Sequence, residues 1–230
     1  MLHKFFTFAT IIAFLVALYF AFIYAPVEKT MGIVQKIFYF HVGSAWVGGF
    51  AFLVVFICSI AFLITRNRVF DLYAGVSAEI GVVFTTIVLT TGPIWGRSAW
   101  NTWWTWEPRL TTTLILWFIY LAYIMIRNME APWDKKARLA SVFGIIGFLD
   151  VPIVFFAVRW WNTKMHPIVF GEGKSQSGGG LEPEMLTAMF VAIGAFTLLY
   201  ITLLQKGIYI DKAKIAVHQY KEKLQEKLVR

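Results

Sequence analysis

The stretch WNTWWTW, residues 100–106, holds four tryptophans, Trp100, Trp103, Trp104 and Trp106, with Trp95 just ahead and Glu107, Pro108 and Arg109 just behind. Tryptophan is large and seldom fully buried, so a cluster of this kind suits a surface that lies against something flat and apolar. The chain has four histidines. Two of them, His41 in KIFYFHVGSAW and His166 in RWWNTKMHP, stand among aromatic residues. Neutral imidazole is a common metal ligand, and haem iron accepts it as an axial ligand. Two such histidines could close one iron from opposite sides, while indole rings cover the face and edge of the macrocycle. Arg97, Arg109 and Arg159 could pair with its two propionates. Zinc is the competing metal, but its sites usually need three or four close ligands. The chain has no H-x-x-x-H pair and a single cysteine; Glu28, Glu107, Glu172, Glu182 and Glu184 are the possible extras.

These residues need elements to carry them, and composition says where those elements lie. The 230-residue chain is 59% hydrophobic and 15% charged. A soluble domain could not cover that much apolar side chain with so little charge, so the bilayer is the natural solvent. A spanning helix needs about 20 mostly apolar residues. Six stretches qualify, near 5–25, 41–64, 74–94, 110–126, 139–158 and 185–204. Alternating strands of a membrane barrel are absent from the pattern. The expected fold is all-α and polytopic, with six transmembrane helices and an external tryptophan-rich segment. The first stretch is too long for a signal-peptide core and no A-x-A site follows it, so it reads as the first span. With Cys58 alone, no disulfide or C-x-x-C relay forms within the chain.

Six spans put both termini on one face. Of the 21 Lys and Arg residues, 14 fall on that face and 7 on the other. Positive residues are retained in the cytoplasm, which assigns both termini to the cytoplasmic side. Loops 26–40, 95–109 and 159–184 are then external, and 65–73 and 127–138 internal. The chain divides into a six-span domain, 1–210, and a basic amphipathic tail, 211–230, expected near anionic headgroups rather than on nucleic acid. Residues 28–40 are expected to form a short surface helix leading into span two. If the tryptophan segment is helical, Trp100, Trp103 and Trp104 share one side and make an aromatic shelf. GEGKSQSGGG, residues 171–180, has the composition of a flexible loop. Eight of the ten tryptophans, including Trp46, Trp160 and Trp161, fall at the outer face. An interfacial aromatic belt is the alternative explanation, but a belt populates both faces, and here the cytoplasmic side has only Trp133. Asp150, two residues before Pro152 in span five, fits hydrogen bonding to backbone freed by the proline, with a proton or haem path as the alternative. Glu79 is expected to reach the cytoplasmic interface, where Arg66 and Arg68 are available.

WGRSAWNTWWTWEPRLTT, residues 95–112, resembles the tryptophan-rich WWD segment of haem-handling membrane proteins. IFYFHVGSAW and VRWWNTKMHP are similar to the two histidine segments of the cytochrome c maturation protein C (CcmC) family. The resemblance extends over nearly the whole chain in span number, segment order and spacing. It implies haem b held at the external face of the bacterial cytoplasmic membrane, between the tryptophan segment and two axial histidines that correspond to His41 and His166. It implies delivery of that haem to a membrane-anchored haem chaperone, CcmE, with an ABC transporter pair, CcmA and CcmB, and a small single-span subunit, CcmD. Glu107 stands where the family has Asp, which keeps the charge and adds one methylene, and residues 98–101 also depart from the family pattern. The chain therefore reads as a haem-transfer protein rather than a classical enzyme. An electron-transfer cytochrome of the b type and a haem-free permease or structural subunit are the alternatives.

Overall fold

The computed structural model describes residues 2–29, 31–161 and 181–229. Their architecture is helical, with no β-strand among the described residues. Among the described residues seven α-helices run in chain order: α1 Leu2–Tyr19, α2 Ile37–Thr65, α3 Arg68–Trp100, α4 Pro108–Asn128, α5 Trp133–Phe148, α6 Asp150–Trp160 and α7 Pro183–Val229. A π-helical turn, Phe20–Tyr24, extends α1, and a 3-10 turn, Ile33–Lys36, leads into α2. Among the described residues, six helical stretches are long and apolar enough to cross a membrane, α5 and α6 counting together as Trp133–Trp160.

Local chemistry sets the ends of these helices. Arg66 closes α2 in the left-handed region, and Asn67 caps α3 by accepting from the Val69 N–H at 2.9 Å. Pro108 opens α4 from its first position, where the missing N–H costs nothing. The fifth span is interrupted at Leu149: Pro152 has no N–H to return to the Phe148 carbonyl, and the Leu149 N–H turns instead to Ile146 O at 3.1 Å. Asp150 sits in that break, with Oδ2 buried and without a hydrogen-bond partner in the structure.

The bundle has two distinguishable ends. At one, the turn after α1, the start of α2, the end of α3 and the start of α7 share a core containing Ala21, Phe38, Tyr39, Trp95, Ala188 and Met189. Lys36 is 3% exposed there, and its Nζ donates to Ala25 O at 2.6 Å and Pro26 O at 3.2 Å. A cation thereby satisfies carbonyls left over at the end of the first span. At the other end, Arg127 of α4 forms an ion pair with buried Asp71 of α3, and Trp133 Nε1 donates to Asp71 Oδ2 at 3.0 Å. The middle is closed by aromatic packing, with Phe52 and Tyr120 stacked at 3.6 Å between centroids.

Three sequence expectations are corrected. The chain turns at Gly32 rather than entering helix at residue 28: Gly32 adopts a φ of 61° and its N–H bonds Glu28 O at 3.0 Å. Met31 and Val34 then pack against the bundle core instead of lying on the membrane surface. Residues 101–107 are not helical, so no helical shelf forms. Arg66 and Arg68 do not serve Glu79: their guanidinium groups lie over Phe62 and Trp133. The charges around Glu79 come from Asp211, Lys214 and Arg127. The tail is helical, as expected, and continues the sixth span in one unbroken helix, Pro183–Val229. At about 1.5 Å per residue, a helix this long extends well beyond a hydrocarbon core of ~30 Å.

Candidate haem site at the tryptophan end

His41 stands in the first turns of α2, half-buried, facing the last turns of α3. Its Nδ1 lies 2.9 Å from Thr91 Oγ1, and its ring is 6.3 Å from that of Trp95. Thr91 and Trp95 are four residues apart and so lie on one face of α3. Gly92, between them, lies close to the imidazole: a methyl there would sit in ordinary contact, 3.5 Å from His41 Cε1. Trp95 is 5% exposed and meets Trp100 edge-on at 5.2 Å. His41, Trp95 and Trp100 thus form one continuous aromatic contact.

The connector from α3 to α4 carries the remaining tryptophans outward. Asn101 ends α3 at a φ of 59°, with its N–H returned to Arg97 O at 3.1 Å. Asparagine tolerates this left-handed conformation better than most side chains. Beyond it, Thr102 Oγ1 donates to Trp104 O at 3.3 Å, and Trp104 meets Trp106 edge-on at 5.8 Å. Trp103 is 60% and Trp106 75% exposed. Glu107 closes the connector in extended conformation and accepts the Thr111 N–H at 3.0 Å, which starts α4.

The arginines divide. Arg109 is half-buried in the first turn of α4, and its charge acts on His41. Arg97 folds back on the end of its own helix, with Nη1 donating to Asn101 O at 3.0 Å and to Asn101 Oδ1. Its first role is therefore to close α3. Arg159 is exposed in the last turn of α6, beside Trp160 and Trp161, which are also exposed. His166, Lys164 and the loop 171–180 lie outside the described residues.

The residues present suit a flat, apolar ligand with acidic edges. Two indole N–H groups, Trp95 Nε1 and Trp104 Nε1, are buried and have no acceptor in the structure. A buried donor left without an acceptor is costly, and a carboxylate on a bound ligand is one group that would satisfy it. Among the described residues, no group of three or more His, Cys, Asp or Glu gathers as a metal cage. Thr91 and the buried Lys36 are the contributions that sequence reasoning missed. The i, i+4 placement of Thr91 and Trp95 beside TGP, residues 91–93, is the signal that could have found the threonine.

The profile of the family described as Heme exporter protein C (CcmC) matches residues 1–223. This chain belongs to the Heme exporter protein C family. The match includes α1 to most of α7, and with them His41, the tryptophan connector and His166. A Heme exporter protein C from Bradyrhizobium diazoefficiens is 37% identical over 196 residues, 85% of this chain and 73% of the relative. The Escherichia coli K12 protein of the same name is 32% identical over 197 residues, 85% of this chain and 77% of the relative. A putative cytochrome c biosynthesis ccmC-like mitochondrial protein from Marchantia polymorpha is 36% identical over 180 residues, 78% of this chain and 75% of the relative.

Proposed function

We propose that this protein takes up haem as cargo at the tryptophan end of the bundle, on the extracytoplasmic side, and delivers it to the membrane-anchored chaperone CcmE. Membership of the Heme exporter protein C family supports a role in haem export and cytochrome c maturation. The observation that carries the finer reading is the placement of His41. The residue is tied to Thr91, packed beside buried Trp95, and set at the bundle edge next to a connector with exposed indoles.

His41 serves as one axial ligand of haem b, and His166 as the other. Trp95, Trp100 and Trp104 form the apolar backing, while Trp103 and Trp106 cover the open edge. Arg109 and the free indole donors receive propionates, and Glu107 fixes the exit of the connector. Arg97 and Arg159 add positive charge at the rim. An edge lined by exposed side chains suits a ligand that must leave, because an acceptor can reach it without unfolding the bundle. CcmA, CcmB and CcmD are the proposed companions of this chain in the membrane.

The test is the haem absorption spectrum of the full-length protein in detergent, with haem loading of CcmE measured alongside. His41→Ala and His166→Ala are each expected to reduce bound haem and chaperone loading while membrane insertion is retained. Wild-type spectra and loading in both variants would remove the ligand assignment. Permanent, full haem occupancy with reversible reduction by quinol would instead mark an electron-transfer cytochrome.

A further inference from the structure

We infer that Thr91 is a positioning residue that fixes His41 in the Nδ1–H tautomer and so presents Nε2 as the coordinating atom. The inference rests on the proposed role of His41, but its geometric core does not.

Thr91 Oγ1 has two close neighbours: the Ile87 carbonyl oxygen at 2.7 Å and His41 Nδ1 at 2.9 Å. A hydroxyl carries one proton, and a carbonyl oxygen can only accept. If Thr91 gave its proton to His41, two oxygens 2.7 Å apart would face each other with no hydrogen between them. Both contacts are hydrogen bonds only when Thr91 donates to Ile87 and accepts from the imidazole. His41 then carries its proton on Nδ1, and the lone pair falls on Nε2.

The same device occurs twice more in this bundle with a donor that cannot reverse. Trp117 Nε1 donates to Thr86 Oγ1 at 2.8 Å, and Thr86 donates to Val82 O at 2.8 Å. Trp46 Nε1 donates to Thr197 Oγ1 at 3.0 Å, and Thr197 donates to Ile193 O at 2.7 Å. Indole nitrogen is a donor only, so in both cases the threonine accepts from the ring and passes its proton to the carbonyl four residues back. His41–Thr91–Ile87 repeats that arrangement with imidazole in place of indole. A hydrogen bond from the distal ring nitrogen holds the ring plane and strengthens electron donation from the coordinating one.

Thr91→Val keeps the shape of the side chain and removes the acceptor; Thr91→Ser keeps the acceptor. The first measurement is the nitrogen NMR spectrum of ¹⁵N-histidine-labelled, haem-free full-length protein, with His41→Ala assigning the signal. Wild type and Thr91→Ser are expected to show the Nδ1–H tautomer, and Thr91→Val a mixture or the other form. The second is haem retention. Thr91→Val is expected to lose roughly 10–100-fold in haem affinity, the usual cost of removing such a partner, and to shift the haem reduction potential upward. Thr91→Ser is expected to restore both, with the thermal midpoint of unfolding little changed throughout. An unaltered tautomer in Thr91→Val overturns the inference whatever the haem result. Loss of haem in His41→Ala with wild-type affinity and potential in Thr91→Val overturns the positioning role and leaves the ligand standing. Full haem binding in His41→Ala removes His41 as a haem ligand, while the NMR result still decides the tautomer.

Discussion

At the scale of single residues, the two ends of the bundle solve one problem in different ways. Each must place a polar group in apolar surroundings. At the tryptophan end, His41 and Lys36 use neutral acceptors, a threonine hydroxyl and two backbone carbonyls. At the opposite end, Asp71 is held by Arg127 and Trp133 together. Removing one partner of a buried pair leaves an uncompensated charge, which costs more than the pair gains. Arg127→Met is therefore expected to destabilise the protein by about 3 kcal/mol, read as a lower thermal midpoint in detergent. Asp71→Asn in the same chain should recover part of that loss, because the remaining group is neutral and can still pair with Trp133. Equal stability of Arg127→Met and wild type would show that the pair contributes nothing. The haem spectrum of His41→Ala is the counterpart test at the other end, and the Arg127 variant is expected to leave that spectrum unchanged.

At the scale of elements, helix contact is set by where side chains are missing. A methyl group at Gly81 of α3 would stand 2.4 Å from Phe52 Cε1 of α2, and one at Gly207 of α7 would stand 2.4 Å from Val76 Cγ1 of α3. Gly194, also in α7, has nothing within 4 Å. Gly81→Ala should destabilise by about 1–3 kcal/mol through overpacking. Gly194→Ala should be neutral or stabilise by up to about 1 kcal/mol, the helical preference of alanine over glycine. Unfolding midpoints of the two variants side by side check the pair, and the same shift in both would deny the close α2–α3 contact. The connector 101–107 is the other element with a specific requirement. Asn101 turns it out of α3, and Arg97 secures the turn. Asn101→Ala should cost on the order of 1 kcal/mol through the strained left-handed conformation and should weaken haem retention by misdirecting Trp103 to Trp106. Unchanged retention would show that the connector finds its place without this turn.

At the scale of the whole molecule, six antiparallel spans place His41, the tryptophan connector and the start of α7 at one end, and Arg127, Trp133 and the tail at the other. From the excess of basic residues on the tail side we propose that this side faces the cytoplasm. In a Cys58→Ser background, Ser98→Cys is expected to react with a membrane-impermeant thiol reagent applied from outside intact cells, and Lys221→Cys only after lysis. Labelling in the reverse order would invert the orientation and remove an extracytoplasmic haem site. The long α7 adds a consequence of its own. A helix unbroken from the sixth span to Val229 carries the exposed Val217, Tyr220 and Leu224 away from the bundle rather than along its surface.

The sequence alone determined the number of spans, their helical nature and the concentration of tryptophan at one end, because apolar length and residue type are local properties that need no partner. Motif resemblance further named the family. Helix ends were less legible: whether Trp100 continues a helix depends on the left-handed turn at Asn101 and on the Arg97 contact that secures it. Span five read as continuous until Pro152 and Leu149 were seen to divide it. What only the tertiary structure decided is pairing. His41 meets Thr91 across 50 residues, Asp71 meets Arg127 across 56, and Lys36 meets carbonyls of the preceding span. Each is fixed by which helices lie side by side, and periodicity within a single helix holds no record of its neighbours.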